Sequence, residues 1–220
     1  MTAIERDTPF VWVTWLTKLM SGEDNCRWSS WFKAHHKYDK LPSDFDLTQW
    51  TAEHSQLVHR RANELESEGC GVRIEDENQF YLTGRDGITT LSGKPDIVAV
   101  RGDYVLVEDC KTGKPRNSDQ MQVLIYMLVL TLVKPELAGK TIHGSLFYKD
   151  YPQIEIEPDA VNSDFIGVFQ EVMEAVKGGD PCRKVPSYRE CQFCDIGTDY
   201  CAERVDEEPL AVAATEHDLF

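Results

Sequence analysis

The chain has 220 residues, a hydrophobic share of 41% and a formal net charge of −15. That length and apolar content suit one domain with a sizeable core, and no apolar run is long enough to span a membrane. The acidic balance excludes a chain that holds nucleic acid by bulk charge alone, because phosphate contacts dominate such affinity.

In chain order, Phe10 to Met20 reads as an amphipathic core helix with Val11, Trp12, Trp15, Leu16 and Leu19 on its apolar face. Cys26 follows, in Asn-Cys-Arg-Trp-Ser-Ser-Trp-Phe. Thr48 to Glu68 repeats helically through Trp50, His54, Leu57 or Val58, Ala62 and Leu65, and Gly69 is a natural stop. His59 borders this stripe in Leu-Val-His-Arg-Arg, and His54 is the competing histidine.

The most informative stretch runs from Gly93 to Lys111. Two runs rich in β-branched residues, Ile97 to Val100 and Tyr104 to Val107, flank Gly102-Asp103, a hairpin signal with glycine first in the turn. With a two-residue loop, Arg101 pairs with Tyr104, Ala99 with Leu106, and Asp96 falls opposite Asp109. Opposed residues share a face, and Lys111, two residues beyond Asp109, joins them. Leu106, Glu108 and Cys110 take the other face. A solvated ion cluster is the bland explanation. Against it, Pro95 stands where a strand can only begin, and two aspartates, which strands disfavour, interrupt an apolar ladder. Facing carboxylates repel unless a cation lies between them, and Mg²⁺ or Mn²⁺ suits carboxylate and water ligands.

Further on, Ser118 to Leu132 reads as a helix capped by Ser118 or Asp119, with Gln122 and Tyr126 stacked four residues apart. Thr141 to Tyr148 and Gln153 to Glu157 read as strands. Ser163 to Lys177 reads as a helix turning Phe165, Val168, Phe169, Val172, Met173 and Val176 inward. Of seven cysteines, Cys191, Cys194 and Cys201 lie close in sequence with metal-binding spacing, and their fourth partner is Cys26 or Cys182. Cys70 and Cys110 read as ordinary buried thiols. The odd count and the lack of an N-terminal signal pattern point to the cytoplasm rather than a secreted disulfide scaffold. Residues 1–205 form one domain, and 206–220 read as an acidic, disordered tail.

Gly-Lys-Pro-Asp96, then Asp109-Cys-Lys111-Thr-Gly, resembles the catalytic core of the PD-(D/E)XK nuclease superfamily, and within it the RecB-like exonuclease branch with the CRISPR-associated Cas-four-type nucleases. The resemblance implies an α/β fold with a restriction-endonuclease-like core, a central mixed sheet flanked by helices. It implies Asp96 and Asp109 as Mg²⁺ or Mn²⁺ ligands, His59 as a third ligand, and Lys111 as the residue that positions the attacking water. Gln122 and Tyr126 match the Gln-x-x-x-Tyr motif that grips the substrate strand. Cys26, Cys191, Cys194 and Cys201 match the four ligands of a [4Fe–4S] cluster tying the two chain ends into a Cys-rich helical subregion; zinc accepts the same thiolates. The implied function is a metal-dependent DNA exonuclease acting on single-stranded or frayed ends, in CRISPR adaptation or DNA repair. Arg60, Arg61, Lys94, Lys111, Lys114 and Arg116 would gather positive charge near the site, and the acidic balance suggests a protein partner that supplies DNA affinity. The alternatives are a non-catalytic DNA-end or adaptation-complex subunit and a structural Cys₄-metal interaction protein.

Overall fold

In the computed structural model, residues 3–209 are described. The tail expected over 206–220 therefore lies mostly outside them. The elements in chain order are β1 (Ile4–Glu5), β2 (Phe10–Trp12), α1 (Thr14–Ser21), α2 (Arg27–His35), β3 (His36–Lys37), α3 (Leu47–Ser67), β4 (Gly71–Ile74), β5 (Phe80–Thr83), β6 (Thr90–Gly93), β7 (Ile97–Arg101), β8 (Tyr104–Lys111), α4 (Asn117–Val133), β9 (Ile142–Tyr148), β10 (Ile154–Ile156), α5 (Ser163–Lys177) and α6 (Tyr188–Cys191).

The β-branched runs of β7 and β8 form the expected hairpin. Gly102 takes φ 62°, which only glycine adopts without cost, and places the two-residue turn. The register runs from Arg101↔Tyr104 through Ala99↔Leu106 to Ile97↔Glu108. Asp96 lies one residue beyond that last pair, at the same level as Asp109. The hairpin is the centre of a mixed five-stranded sheet ordered β10-β9-β8-β7-β4, in which only the β8–β9 pairing is parallel. A second sheet, β2-β6-β5, pairs β2 parallel to β6. The α/β class and the mixed sheet flanked by helices are as the sequence implies.

Alternation along β8 divides the core. Val105 and Val107 point to a cluster with Val123, Tyr126, Met127 and Leu130 of α4. Leu106 and Cys110 point the other way, to Leu57, Val58, Ala62 and Leu65 of α3. Glycine is required where α4 meets the strands: a Cβ on Gly93 would lie 2.7 Å from Tyr126 Cε1, so the buried ring packs directly on the backbone. A third cluster, built on Trp28, Trp31, Phe32 and Ile196, joins the N-terminal helices to the C-terminal cysteine loop.

Three expectations about elements are corrected. Phe10 to Met20 is a short strand followed by a helix: Phe10–Trp12 joins β6, and the helix begins only at Thr14. Helix α4 begins at Asn117, one residue early, because the Asp119 carboxylate reaches back to accept the Arg116 N–H at 3.0 Å. Ser118 is no cap; its N–H and hydroxyl both donate to Glu23. In α5, whose bounds are as expected, Phe165, Val172 and Val176 are buried while Val168 is exposed.

Candidate active site and cysteine corner

At the end of β7 and β8 the sheet opens into a cleft of about 590 Å³ between the N-terminal half of α3 and the start of α4. Asp96, Asp109, Lys111 and Gln122 line it, together with His54, Trp50, Lys94, Lys114, Arg116 and Asp119. Both hairpin aspartates are buried. Asp96 Oδ2 accepts the Cys110 backbone N–H at 2.8 Å and lies 3.2 Å from His54 Nε2. The same imidazole nitrogen is 3.2 Å from the Cys110 carbonyl. Glu75, at φ 45°, donates its N–H to the Asp96 carbonyl at 2.8 Å and holds the start of β7 at the rim.

Asp109 is the more constrained carboxylate. Gln122 Nε2 donates to its Oδ1 at 3.0 Å, and the Lys111 ammonium lies directly against Oδ2. Burial pushes the carboxyl up to about 7, with Asp96 adding repulsion and Lys111 only partly offsetting both. Burial opposes charge on Lys111, but Asp109 outweighs it and holds the ammonium above its ordinary value. Lys111 also donates to Gln122 Oε1 at 2.9 Å and lies 3.8 Å from Asp119. His54 shows the same balance: burial disfavours its protonation, while Asp96 and then Asp109 raise its pKa above the usual imidazole range.

The remaining expected residues divide. His59 is exposed on α3 and lines no part of the cleft. His54, one turn before the buried Leu57 and Val58, is the histidine that α3 brings to the carboxylates. Tyr126 is buried behind the cleft, where its hydroxyl accepts from Gln122 Nε2 at 3.1 Å. It therefore braces Gln122 and presents no surface to a ligand. Glu108 faces the opposite side, fully buried, with Arg61 donating to it from 2.8 Å. Arg61 and Arg60 are accordingly not part of the cleft; both lie over the Phe147 ring. Two cleft residues escaped the sequence reading. Trp50 was assigned to the core, yet its ring stacks on His54 at 5.0 Å, an i,i+4 pairing visible in the spacing. Asp119 appeared only as a capping residue, and it also accepts from Tyr148 Oη at 2.9 Å.

The second candidate lies at the junction of the chain ends. Cys26, Cys191, Cys194 and Cys201 all line one small pocket, and all are free thiols. Glu190 fastens the two ends together by accepting the Cys26 N–H at 3.0 Å, and Arg204 braces the loop by donating to the Cys194 carbonyl at 2.8 Å. Cys182 lies outside that pocket and its thiol donates to the Ala175 carbonyl at 3.1 Å. Cys70 and Cys110 are buried, as expected.

Among the described residues, no three Cys, His, Asp or Glu side chains are drawn into a closed metal-binding group. The donor chemistry nevertheless fits both implied groups. Two carboxylates and an imidazole suit Mg²⁺ or Mn²⁺, and a divalent cation would favour the charged form of the Asp109 carboxyl that burial and Asp96 disfavour. Four thiols lining one pocket are donors of the kind that iron–sulfur or zinc takes.

The sequence profile of the PD-(D/E)XK nuclease superfamily matches residues 17–201. Among solved structures, the crystal structure of SSO0001 is similar over 91% of this chain and 89% of its own, with a TM-score of 0.50 and 13% identity. At that identity the likeness concerns the fold. No curated protein sequence matches significantly. Among the described residues, no helix is long and apolar enough to cross a membrane. The matched span contains the hairpin, α3 and α4, whose aspartates and lysine meet at the sheet end in the Pro-Asp and Asp-x-Lys order that gives the superfamily its name. On that match, the chain belongs to the PD-(D/E)XK nuclease superfamily.

Proposed function

We propose that this protein is a metal-dependent DNA exonuclease of the RecB-like branch, acting on single-stranded or frayed ends. The observation that carries this is the convergence of Asp96, Asp109, His54 and Lys111 on one open cleft, with Asp109 buried and its carboxyl pushed up by burial and by Asp96. Asp96, Asp109 and His54 would hold Mg²⁺ or Mn²⁺, with His54 replacing the expected His59. Bound there, the metal supplies Lewis-acid polarisation of the scissile phosphate and a more acidic water. Lys111, kept protonated by Asp109, donates to the attacking water or a phosphate oxygen and steadies developing negative charge. Gln122 touches both Lys111 and Asp109 and fixes their separation, while Tyr126 holds Gln122 from behind. Lys114 and Arg116, exposed at the mouth, would take phosphates. The net charge of −15 favours a protein partner that adds DNA affinity, as in CRISPR adaptation or repair assemblies.

The decisive variant is Lys111→Ala. It should keep its melting transition and lose Mn²⁺-dependent release of nucleotides from end-labelled single strands by about 10²-fold or more. A fully active variant would sink the assignment.

We further propose Cys26, Cys191, Cys194 and Cys201 as the ligands of a [4Fe–4S] cluster that joins the chain ends. Their shared pocket supports this set over one that includes Cys182. Purified protein should contain iron and sulfide and show visible absorption; a colourless preparation with stoichiometric zinc would assign the corner to zinc.

A further inference from the structure

The two walls of the cleft differ in kind. One comes from the loop between β8 and α4, where Lys114 and Arg116 are exposed and make no ion pair among the described residues. The other comes from the N-terminal half of α3 and the segment before it. Between Leu41 and His59 there is no lysine or arginine. Instead this side exposes large apolar side chains: Trp50, at 39%, lines the cleft, and Phe45, at 60%, and Leu47, at 62%, lie just outside its lining. Phe45 lies 6.3 Å from Trp50, tilted by 55°, and Trp50 lies nearly parallel to His54 at 21°. Three rings thus run from the surface to the carboxylates. Of the local acids, Asp46 caps α3 by accepting the Gln49 N–H, Glu53 pairs with Lys149 at 2.7 Å, and Asp44 is exposed to solvent.

Exposed aromatic rings beside an active cleft need an occupant. A nucleotide strand has charged phosphates on one side and flat π-faces on the other, which is the asymmetry these walls present. In a duplex the base faces are stacked on one another and cannot reach such a wall, whereas an unpaired strand offers them freely. Resting on the nuclease assignment above, we infer that Trp50 and Phe45 form a base-stacking platform that seats the unpaired end of a DNA strand and sets the preference for single strands. Phosphates pass along Lys114 and Arg116, and an unpaired base stacks on the exposed parts of the Phe45 and Trp50 rings, since His54 covers the Trp50 face toward the carboxylates. Trp50 is a specificity-determining residue here; the chemistry belongs to the carboxylates and Lys111.

The test compares DNA binding by the full chain in chelator, at fixed salt, for a fluorescent 12-nucleotide deoxyadenylate strand, its duplex, and the same strand with an abasic end. Trp50→Ala should weaken single-strand binding about tenfold or more, as expected for loss of base stacking. It should leave duplex binding nearly unchanged and have little further effect on the abasic strand. Trp50→Phe should recover most of the loss. Phe45→Ala, which does not touch His54, should show the same single-strand bias at smaller size, so the conclusion does not depend on an undisturbed His54. Equal losses on single strand and duplex, or an undiminished effect on the abasic strand, would overturn the platform. If the unaltered protein cleaves DNA and both variants keep their single-strand preference, the platform fails while the nuclease assignment stands. If the unaltered protein neither binds nor cleaves DNA, both fail.

Discussion

Glu108 and Asp109 are neighbours on β8, both buried, and they face opposite sides of one sheet. Glu108 is fully compensated. The Arg61 guanidinium donates from 2.8 Å to Oε1 and from 3.5 Å to Oε2, and Gln153 adds a third donor at 3.3 Å. Asp109 has an amide, an ammonium and a second carboxylate sharing its cleft. Burial alone therefore does not mark an acid as functional, since the more deeply buried of the two faces away from the cleft and is paired with Arg61. What distinguishes Asp109 is a carboxyl pushed up to about 7 by burial and by Asp96 beside it, a setting that a divalent cation would relieve.

The sharpest way to break this contrast is Asp109→Asn. Cleavage should fall by at least about 10²-fold, measured as metal-dependent release of label. The rise in melting temperature on adding Mn²⁺ should vanish, where the unaltered protein gains about 2.7 kcal/mol at a hundredfold excess over Kd. The pH dependence carries the same signature. In metal-free protein the Asp109 carboxyl lies near 7 folded against about 3.9 unfolded, so the folded state binds the extra proton between those values. Its contribution to stability should fall as pH rises from about 4 to 7, and Asp109→Asn should remove that part of the slope. An unchanged slope in chelator would mean that the carboxyl is ordinary.

Glu108→Gln probes the other side of the strand. It leaves the Arg61 guanidinium largely buried with only Glu64, at 3.1 Å, to pair with. Unfolding free energy should drop by about 3 kcal/mol, read from urea titration with an unchanged m value. Cleavage per folded molecule should stay within about threefold. If instead activity collapses while stability holds, the two acids have exchanged roles.

How much of this was legible follows from the range of each signal. The hairpin register and its two faces follow from local alternation and one glycine turn, so the shared face of Asp96, Asp109 and Lys111, and the opposite face of Glu108, are legible in the sequence. The bounds of α5 were equally local, set by Asn162 and Gly178. His59 was misplaced. The spacing already put His54 on the stripe with 57 or 58, 62 and 65, and His59 was preferred only on its likeness to the family motif; packing keeps 57, 58, 62 and 65 inward. Phe10–Trp12 looked helical because a three-residue strand is too short to establish a period of two, and its pairing with β6 spans some eighty residues. The cysteine corner depends on two chain ends meeting, which spacing within either end cannot reveal.

The finest distinction concerns Tyr126, expected to grip a strand and found buried beneath Gln122. A side chain that touches substrate and one that braces a neighbour respond differently to losing a hydroxyl. Tyr126→Phe keeps the ring that packs against Phe80, at 6.1 Å between centroids, and against the Gly93 backbone. It removes only the hydrogen bond accepted from Gln122 Nε2. That amide still donates to Asp109 Oδ1, so Gln122 is loosened rather than released. A neutral hydrogen bond of this kind contributes about 1 kcal/mol, which caps the loss of kcat at about fivefold with KM for the strand unchanged. A large rise in KM with kcat preserved would instead place the Tyr126 hydroxyl against the DNA, and would require α4 to shift on binding.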